Sequence, residues 1–284
     1  MARAFSRRTA PPATVVADDG VALAVRVVGR GPALAFVHEF TGDLRSWAPQ
    51  FAAFAPSYRC IAFNARGYPP SDTPASASAY SQARAADDVA VVIAALARRP
   101  AHVVGLSMGG FAALHCALRH PQRVRSLVLA GVGYGAKPEQ TASHARASRR
   151  EADHALTIGI GRYARMMAAS DYAAPLRTKN PRAWRRFAHE LSGHSVEGMA
   201  ATLRYVLAGR PSLWRLAPKL KRLRVPTLIV VGDRDEPCLE PALFLRRTIP
   251  GAELAVLPGV GHLTNLEEAS RFNALVAAFI AVHS

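Results

Sequence analysis

The chain has 284 residues, half of them hydrophobic, and a formal net charge of +16 at pH 7. This length and apolar content allow one large buried core with an inserted subdomain, and no stretch approaches the roughly 20 apolar residues of a membrane-spanning helix. Three widely spaced cysteines argue against a disulfide framework or a zinc site and are typical of a reducing, cytoplasmic location.

Positive charge is concentrated in one part of the chain. Residues 136–222 hold 17 Lys and Arg against 6 Asp and Glu, mostly as arginines in helical patterns. Such a distribution is typical of a solvated cationic face, or of an entrance that favours anionic substrates. The chain shows no recognised nucleic-acid motif and no interleaving of aromatic and basic residues, so we expect no nucleic-acid partner and no membrane partner.

Strands and helices are predicted to alternate along most of the chain. Residues 1–13 are rich in Pro, Ala and Arg without a following apolar segment, which predicts a flexible leader and not a secretory signal. The apolar patterns then predict, in order, a hairpin over 14–28, a strand over 33–37, a helix over 43–54, a strand over 60–64, a helix over 80–98, a strand over 101–106, a helix from 107 to about 119 and a strand over 124–130. Residues 136–220 show helical patterns and no convincing strand. The alternation then resumes with a strand over 227–231, a helix over 241–248, a strand over 253–257 and a helix over 267–282.

This order predicts an α/β fold with a mostly parallel sheet covered by helices on both faces. The predicted division is a leader (1–13), a core (14–135 and 221–284) and a helical cap inserted between two core strands (136–220).

A candidate nucleophile, Ser107, lies in the run Gly105-Leu106-Ser107-Met108-Gly109, between a predicted strand and a predicted helix. The pattern Gly-x-Ser-x-Gly is typical of a sharp strand-to-helix turn that projects the serine hydroxyl from the end of a sheet. Glycines on either side remove the Cβ atoms that such a turn would crowd. The pentapeptide alone also fits an ordinary Gly-Ser turn. The predicted strand before it and the predicted helix after it favour the interpretation of Ser107 as a nucleophile.

A serine hydroxyl needs a base within hydrogen-bond reach, and the base needs an orienting carboxylate. In this arrangement the acid and then the histidine follow the serine along the chain, each just past the end of a strand. After the strand over 227–231, Asp235 is favoured as the acid over Asp233 and Glu236, which fit turn caps. Of ten histidines, only His262 lies in a loop after the last predicted strand, and we expect it to be the base.

Two backbone amides are expected to bind the oxyanion of a tetrahedral intermediate. One belongs to Met108, directly after the nucleophile, and the other to Phe40, in the loop after the strand over 33–37. His38 in the same loop is expected to brace it.

Together these residues resemble the α/β-hydrolase superfamily over about residues 15–279. The runs GLSMGG (105–110) and GHLTNLEE (261–268) are similar to capped hydrolases of small molecules. Those include carboxylesterases, 3-oxoadipate enol-lactonase and the meta-cleavage-product hydrolases that break carbon–carbon bonds. The resemblance implies an eight-stranded core and a site between core and cap, with neither a metal nor an organic cofactor.

Some positions depart from the family pattern. Glu39 stands where glycine usually follows the loop histidine, and its carboxylate either disturbs the oxyanion hole or faces solvent. Asn64 stands where the family usually has the Asp of an Asp-x-Arg-Gly sequence. We expect the loop that begins at Asn64 to have a structural role. Leu263 replaces a Trp that is common in carbon–carbon hydrolases, which disfavours that activity. Ser107 argues against epoxide hydrolases and haloalkane dehalogenases, since both use Asp as nucleophile.

The leading hypothesis is a serine hydrolase of a small to medium carboxylic ester or lactone, whose substrate is anionic if the basic segment forms the entrance. The alternatives left open are carbon–carbon bond hydrolysis of a dienoate-type acid, with cap arginines on its carboxylate, and thioester hydrolysis or acyl transfer. A non-catalytic ligand receptor on the same fold is an alternative of another class. The oligomeric state stays open.

Overall fold

A computed structural model describes residues 13–283, so the predicted leader lies, except for its last residue, outside the described residues. Eight strands form one sheet, and in chain order they are β1 (Ala13–Val16), β2 (Ala22–Val28), β3 (Ala33–Val37), β4 (Arg59–Phe63), β5 (Ala101–Leu106), β6 (Val124–Ala130), β7 (Thr227–Gly232) and β8 (Glu253–Leu257). Their order across the sheet is β1-β2-β4-β3-β5-β6-β7-β8. β2 pairs antiparallel with β1 and with β4, and every other neighbouring pair is parallel. The predicted α/β fold with a mostly parallel eight-stranded sheet is confirmed.

The helices follow the predicted order. They are α1 (Ala48–Phe54), α2 (Gln82–Leu96), α3 (Met108–Arg119), α4 (Thr141–Ala169), α5 (Ala174–Lys179), α6 (Pro181–Leu191), α7 (Val196–Ala201), α8 (Ala217–Leu220), α9 (Glu236–Thr248), α10 (Thr264–Glu267) and α11 (Ala269–Ala281). Among the residues that the structure describes, no helix combines the length and the apolar character needed to cross a bilayer.

Several predicted helices differ from the structure at their ends. α1 begins at Ala48, after a 3-10 turn over Leu44–Trp47, and α2 is two residues shorter at each end than predicted. α9 begins at Glu236, earlier than the start predicted at Pro241, because Pro237 already occupies the first turn, where a missing N–H removes no helical bond. The predicted closing helix is divided into α10 and α11 at Glu268, whose φ of −135° and ψ of 53° are not helical.

The sheet separates two apolar layers. Along β6, Leu127 and Leu129 join one buried cluster, whereas Val128 and Ala130 join the other, because successive side chains of a strand point to opposite faces. One cluster includes side chains of α2, α3 and α9, and the other includes side chains of α1 and α11. Burial on both faces explains why β5 to β7 are nearly continuous apolar runs.

Between β6 and β7 the described chain forms helices α4 to α8 and no strand. Buried side chains of this segment, among them Tyr163, Phe187 and Leu191, belong to the same apolar cluster as α1 and α11. α4 changes direction at Gly159, whose φ of +74° lies in the left-handed region that glycine adopts readily. We call residues 136–220 the helical insert; its standing as a separate cap domain stays a prediction.

Candidate active site

The predicted site residues lie in loops at one edge of the sheet. These loops follow β3, β5, β7 and β8, and the strands from β3 to β8 in the sheet order run parallel to one another. The carboxyl ends of parallel strands meet at the same edge, which brings these loops together although they are far apart in the chain.

Ser107 occupies the turn between β5 and α3, with φ +52° and ψ −114°. It is the only non-glycine residue with positive φ in the described part of the chain. Such a conformation costs on the order of 1–3 kcal/mol and persists only where the surroundings impose it. A Cβ atom at Gly105 would lie 2.3 Å from the Gly109 carbonyl oxygen, and one at Gly109 would lie 2.1 Å from the Val37 carbonyl oxygen. The close backbone approach at this turn therefore requires both glycines.

His262 and Asp235 form a buried pair, with 2.7 Å between His262 Nδ1 and Asp235 Oδ2. Asp233, one alternative acid, is exposed and accepts a hydrogen bond from the Gly259 amide at 2.7 Å. Glu236, the other alternative, is exposed in the first turn of α9. Of the three carboxylates considered from the sequence, the structure brings Asp235 to the histidine.

A cavity of about 220 Å³ is lined by Ser107, His262, Phe40 and Met108, together with residues of the helical insert. The imidazole of His262 is flanked by the rings of Tyr134 and Tyr172, with ring centroids 5.0 and 5.2 Å away. Among the hydrogen bonds of residues 13–283, none joins the Ser107 hydroxyl to His262. In unliganded enzymes such contacts are often long and tighten only when substrate binds.

The loop after β3 is braced by His38. Its Nδ1–H donates to the Glu39 carbonyl oxygen at 2.7 Å, and its Nε2 accepts from the Ala65 amide at 3.0 Å. Burial lowers the pKa of His38 to about 4, which keeps the ring neutral and able to make both bonds at neutral pH. The Tyr68 hydroxyl donates to the Phe40 carbonyl oxygen at 2.8 Å and holds the loop from a second side.

Glu39 is fully buried, so the alternative in which its carboxylate faces solvent is wrong. Neither carboxyl oxygen has a hydrogen-bond partner in the described chain. Burial raises the pKa of Glu39 to about 7. A Cβ atom at Gly42 would lie 2.1 Å from Glu39 Oε1, so the absence of a side chain at Gly42 leaves room for this carboxyl group.

A second buried carboxylate, Glu267, was not singled out from the sequence. Its Oε2 accepts from the Gly261 amide at 2.6 Å and its Oε1 from the Leu263 amide at 2.9 Å. The two bonds lie on either side of His262 and fix the backbone that carries the imidazole. The signal available in the sequence was the position of Glu267 in the run GHLTNLEE, five residues after the histidine, where it ends α10.

Arg210 also lines the cavity, from the helical insert, and is buried. No local pattern separates it from the other basic residues of 136–222, most of which are on helical surfaces.

One group of three side chains has the composition of a metal site. Asp235, Cys238 and His262 offer ligand atoms within 4.8 Å of one another, and no other such group occurs in residues 13–283. Carboxylate, thiolate and imidazole are ligands of zinc. Here His262 Nδ1 and Asp235 Oδ2 already share a hydrogen bond, and burial raises the pKa of the Cys238 thiol, which disfavours the thiolate. The group therefore fits proton chemistry at His262 better than metal binding, and the expected lack of a metal or cofactor stays a prediction.

The family assignment follows from comparison with known proteins. The family model of the alpha/beta hydrolase fold matches residues 32–269. The chain therefore belongs to the α/β-hydrolase superfamily of hydrolases.

Its relatives include enzymes of several substrate classes. The 3-oxoadipate enol-lactonase 2 of Acinetobacter baylyi is 27% identical over 268 residues, which cover 93% of this chain and 95% of the lactonase. The 2-hydroxymuconate semialdehyde hydrolase of Pseudomonas putida is 30% identical over 278 residues, which cover 91% of this chain and 86% of that enzyme. Among solved structures, a thermophilic esterase from Thermogutta terrifontis matches with a TM-score of 0.83 at 25% identity, over 96% of this chain and 99% of the esterase.

Proposed function

We propose that this protein is a serine hydrolase that cleaves a small to medium carboxylic ester or lactone through an acyl-enzyme. The observation that carries the proposal is that the strained Ser107 turn and His262, which is hydrogen-bonded to Asp235, line one cavity. Its volume of about 220 Å³ is below the roughly 300–1,000 Å³ of most ligand sites, which favours a short-chain substrate.

His262 accepts the Ser107 hydroxyl proton on Nε2 while the serine oxygen attacks the ester carbonyl carbon. Asp235 accepts the Nδ1–H bond, which holds the imidazole in the tautomer whose Nε2 is free and stabilises the imidazolium that forms. Collapse of the tetrahedral intermediate expels the alcohol, which takes the proton from His262. Water then attacks the acyl-enzyme by the same proton transfers and releases the acid.

The amides of Phe40 and Met108 are proposed to bind the oxyanion. Both residues line the cavity. Met108 begins α3, so its N–H has no acceptor within the helix. The hydrogen bonds of His38 and Tyr68 hold the Phe40 loop in place before substrate arrives, and a preformed donor pair costs no reorganisation during the reaction.

The relatives support this substrate class without identifying the substrate. An enol-lactonase and an esterase are among the similar proteins. Carbon–carbon bond hydrolysis of a dienoate-type acid is a second candidate, favoured by the 30% identity to 2-hydroxymuconate semialdehyde hydrolase. Turnover of a dienoate at a higher kcat/KM than that of every ester and lactone tested would reassign the reaction to this class.

The test combines active-site labelling and turnover. Purified wild type is treated with a fluorophosphonate probe and assayed with short-chain p-nitrophenyl esters, beside Ser107→Ala, His262→Ala and Asp235→Asn. We expect labelling and turnover in wild type, both lost in Ser107→Ala, and a kcat lowered about 10³- to 10⁴-fold in Asp235→Asn because the imidazole tautomer is no longer held.

Matched controls separate the proposed residues from their neighbours. Ser148 lines the same cavity, and Ser148→Ala should still be labelled. Asp233→Asn should keep a kcat well above that of Asp235→Asn, because Asp233 bonds only to a loop amide. Well-folded wild type that neither reacts with the probe nor hydrolyses any ester would refute the proposal and favour a non-catalytic ligand receptor.

A further inference from the structure

Arg210 is a buried cation on the wall of the cavity that holds Ser107 and His262, and its side chain is fixed on two sides. The residue is only 5% exposed. Its guanidinium carbon lies 3.7 Å from the centroid of the Phe111 ring, and Nη1 donates to the Tyr134 carbonyl oxygen at 3.2 Å. The guanidinium is therefore preorganised before any ligand binds.

No carboxylate of the described chain pairs with this guanidinium. Nε is buried without an acceptor, and the one hydrogen bond of the side chain goes to a neutral carbonyl. Burial lowers the pKa of Arg210 to about 9, so the group still carries its charge at neutral pH. A buried charge without a counter-ion is costly, and an anion bound in the cavity would remove that cost.

His144, in α4, lines the same cavity as Arg210. Burial, with a further contribution from the charge of Arg210, lowers the pKa of His144 to about 4, so the ring is neutral at physiological pH. Its Nε2 is buried and has no hydrogen-bond partner in the described chain. A neutral imidazole that carries its proton on Nε2 is a donor available to the same anion.

One carboxylate, Glu151, also lines the cavity. Its Oε1 accepts a hydrogen bond from the Tyr163 hydroxyl at 2.5 Å. Among the described residues, neither a hydrogen bond nor an ion pair joins Glu151 to Arg210. An anion in the cavity is attracted by Arg210 and repelled by Glu151, which directs it to the guanidinium.

Arg210 and Ser107 line the same cavity, whose volume is about 220 Å³. The Phe111 ring beneath the guanidinium belongs to the first turn of α3, and the Phe111 amide donates to the Ser107 carbonyl oxygen at 3.0 Å. In a cavity of this size one small substrate can present an anionic group to Arg210 and a carbonyl group to Ser107.

We propose that Arg210 and His144 form a carboxylate subsite, and that the substrates are esters or lactones that carry a carboxylate group. The planar guanidinium matches a carboxylate with two parallel hydrogen bonds, which makes such a site selective as well as strong. The inference rests on the proposed serine hydrolase function, and it names the substrate class of that site.

The test compares esters that differ only in an anionic group. Monomethyl glutarate against methyl valerate places the carboxylate on the acyl side, and 3-acetoxypropanoate against propyl acetate places it on the alcohol side. Acid release is followed in a pH-stat for wild type, Arg210→Met and Arg210→Lys. Arg146→Met is the matched control, because it removes one exposed arginine charge of the helical insert away from the cavity.

We expect wild type to prefer the anionic member of one pair, which also tells which side of the ester carries the carboxylate. Arg210→Met should reduce that preference about 10- to 100-fold, mainly through KM, as expected for the loss of hydrogen bonds to a charged group. Arg210→Lys should retain part of the preference and Arg146→Met nearly all of it. If Arg210→Met does not fold, Arg210→Gln serves as the second variant.

Two results would overturn the subsite while the hydrolase stands: equal kcat/KM for both members of both pairs in wild type, or an equal loss for neutral and anionic esters in Arg210→Met. If no ester is turned over, the proposed function fails, and the subsite is judged by binding alone. Glutarate should then raise the Tm of wild type and of Arg146→Met but not that of Arg210→Met. No rise in wild type would overturn the subsite as well.

Discussion

Replacement of Glu39 by Gln tests how a buried carboxyl group without a partner affects stability. Glu39 is fully buried in the loop after β3, and neither of its carboxyl oxygens accepts a hydrogen bond in the described chain. Gln has nearly the same shape but does not ionise. The substitution therefore removes the titration and leaves the packing of the loop nearly unchanged.

The magnitude follows from the pKa, which burial raises from 4.5 to about 7. Between these values Glu39 is ionised in the unfolded chain and protonated in the folded one, so folding takes up a proton. The free energy of unfolding must then fall as pH rises through this window and level off above about pH 7. A separation of about 2.5 between the two pKa values, at about 1.36 kcal/mol per unit, corresponds to roughly 3 kcal/mol in total.

Urea unfolding of wild type and Glu39→Gln at pH 5, 6, 7 and 8 measures this effect, provided that the m-values agree. Other titrating groups contribute equally to both proteins and cancel in the difference. We expect the stability of the variant relative to wild type to increase by roughly 2–3 kcal/mol from pH 5 to pH 8. Glu253→Gln, at an exposed carboxyl group, is the control for the substitution itself. A difference between wild type and Glu39→Gln that does not change with pH would refute the reasoning.

Two further predictions concern other carboxylates and their partners. Arg66→Met should lower the free energy of unfolding by roughly 3–5 kcal/mol, because Arg66 and Asp88 form a buried ion pair at 2.6 Å. The control, Arg119→Met, removes one partner of an exposed ion pair and should lower it by less than about 1 kcal/mol. Equal losses of the two variants in urea unfolding would contradict this prediction. Glu267→Gln should lower kcat for p-nitrophenyl esters about tenfold with little change in KM, because an amide group cannot accept from both backbone amides that hold the His262 loop. Glu268→Gln, at an exposed ion pair, is its control, and an unchanged kcat in Glu267→Gln would show that the loop holds the imidazole without this carboxylate.

The core of the fold was predictable from the sequence because its central strands are buried on both faces. Such strands are short continuous apolar runs between turn residues, and the predicted limits of β3, β5 and β6 agree with the structure. The predicted limits of β8 agree as well, although this strand lies at the edge of the sheet and is partly exposed. The alternation of strands and helices then determined that the sheet is mostly parallel. In a parallel sheet the loops after the strands meet at one edge, so chain position alone indicated that Asp235 would lie against His262. The tight turn at Ser107 was predictable from the motif alone for Gly105, whose missing Cβ would meet the Gly109 carbonyl within the motif, whereas the need for Gly109 arises from the Val37 carbonyl of β3.

Only the tertiary structure decided which polar groups are buried and what they face. The sequence left the direction of the Glu39 carboxyl group open, and it gave no reason to single out Arg210 from the basic residues of the helical insert. Burial of Arg210 arises from its contact with Phe111, almost a hundred residues earlier in the chain, and from the packing of α4 over the cavity. The role of Glu267 at the His262 loop likewise depends on how α10 folds back on that loop. Local patterns record periodicity and turn chemistry, whereas burial, pairing and the shape of a cavity depend on contacts between distant segments.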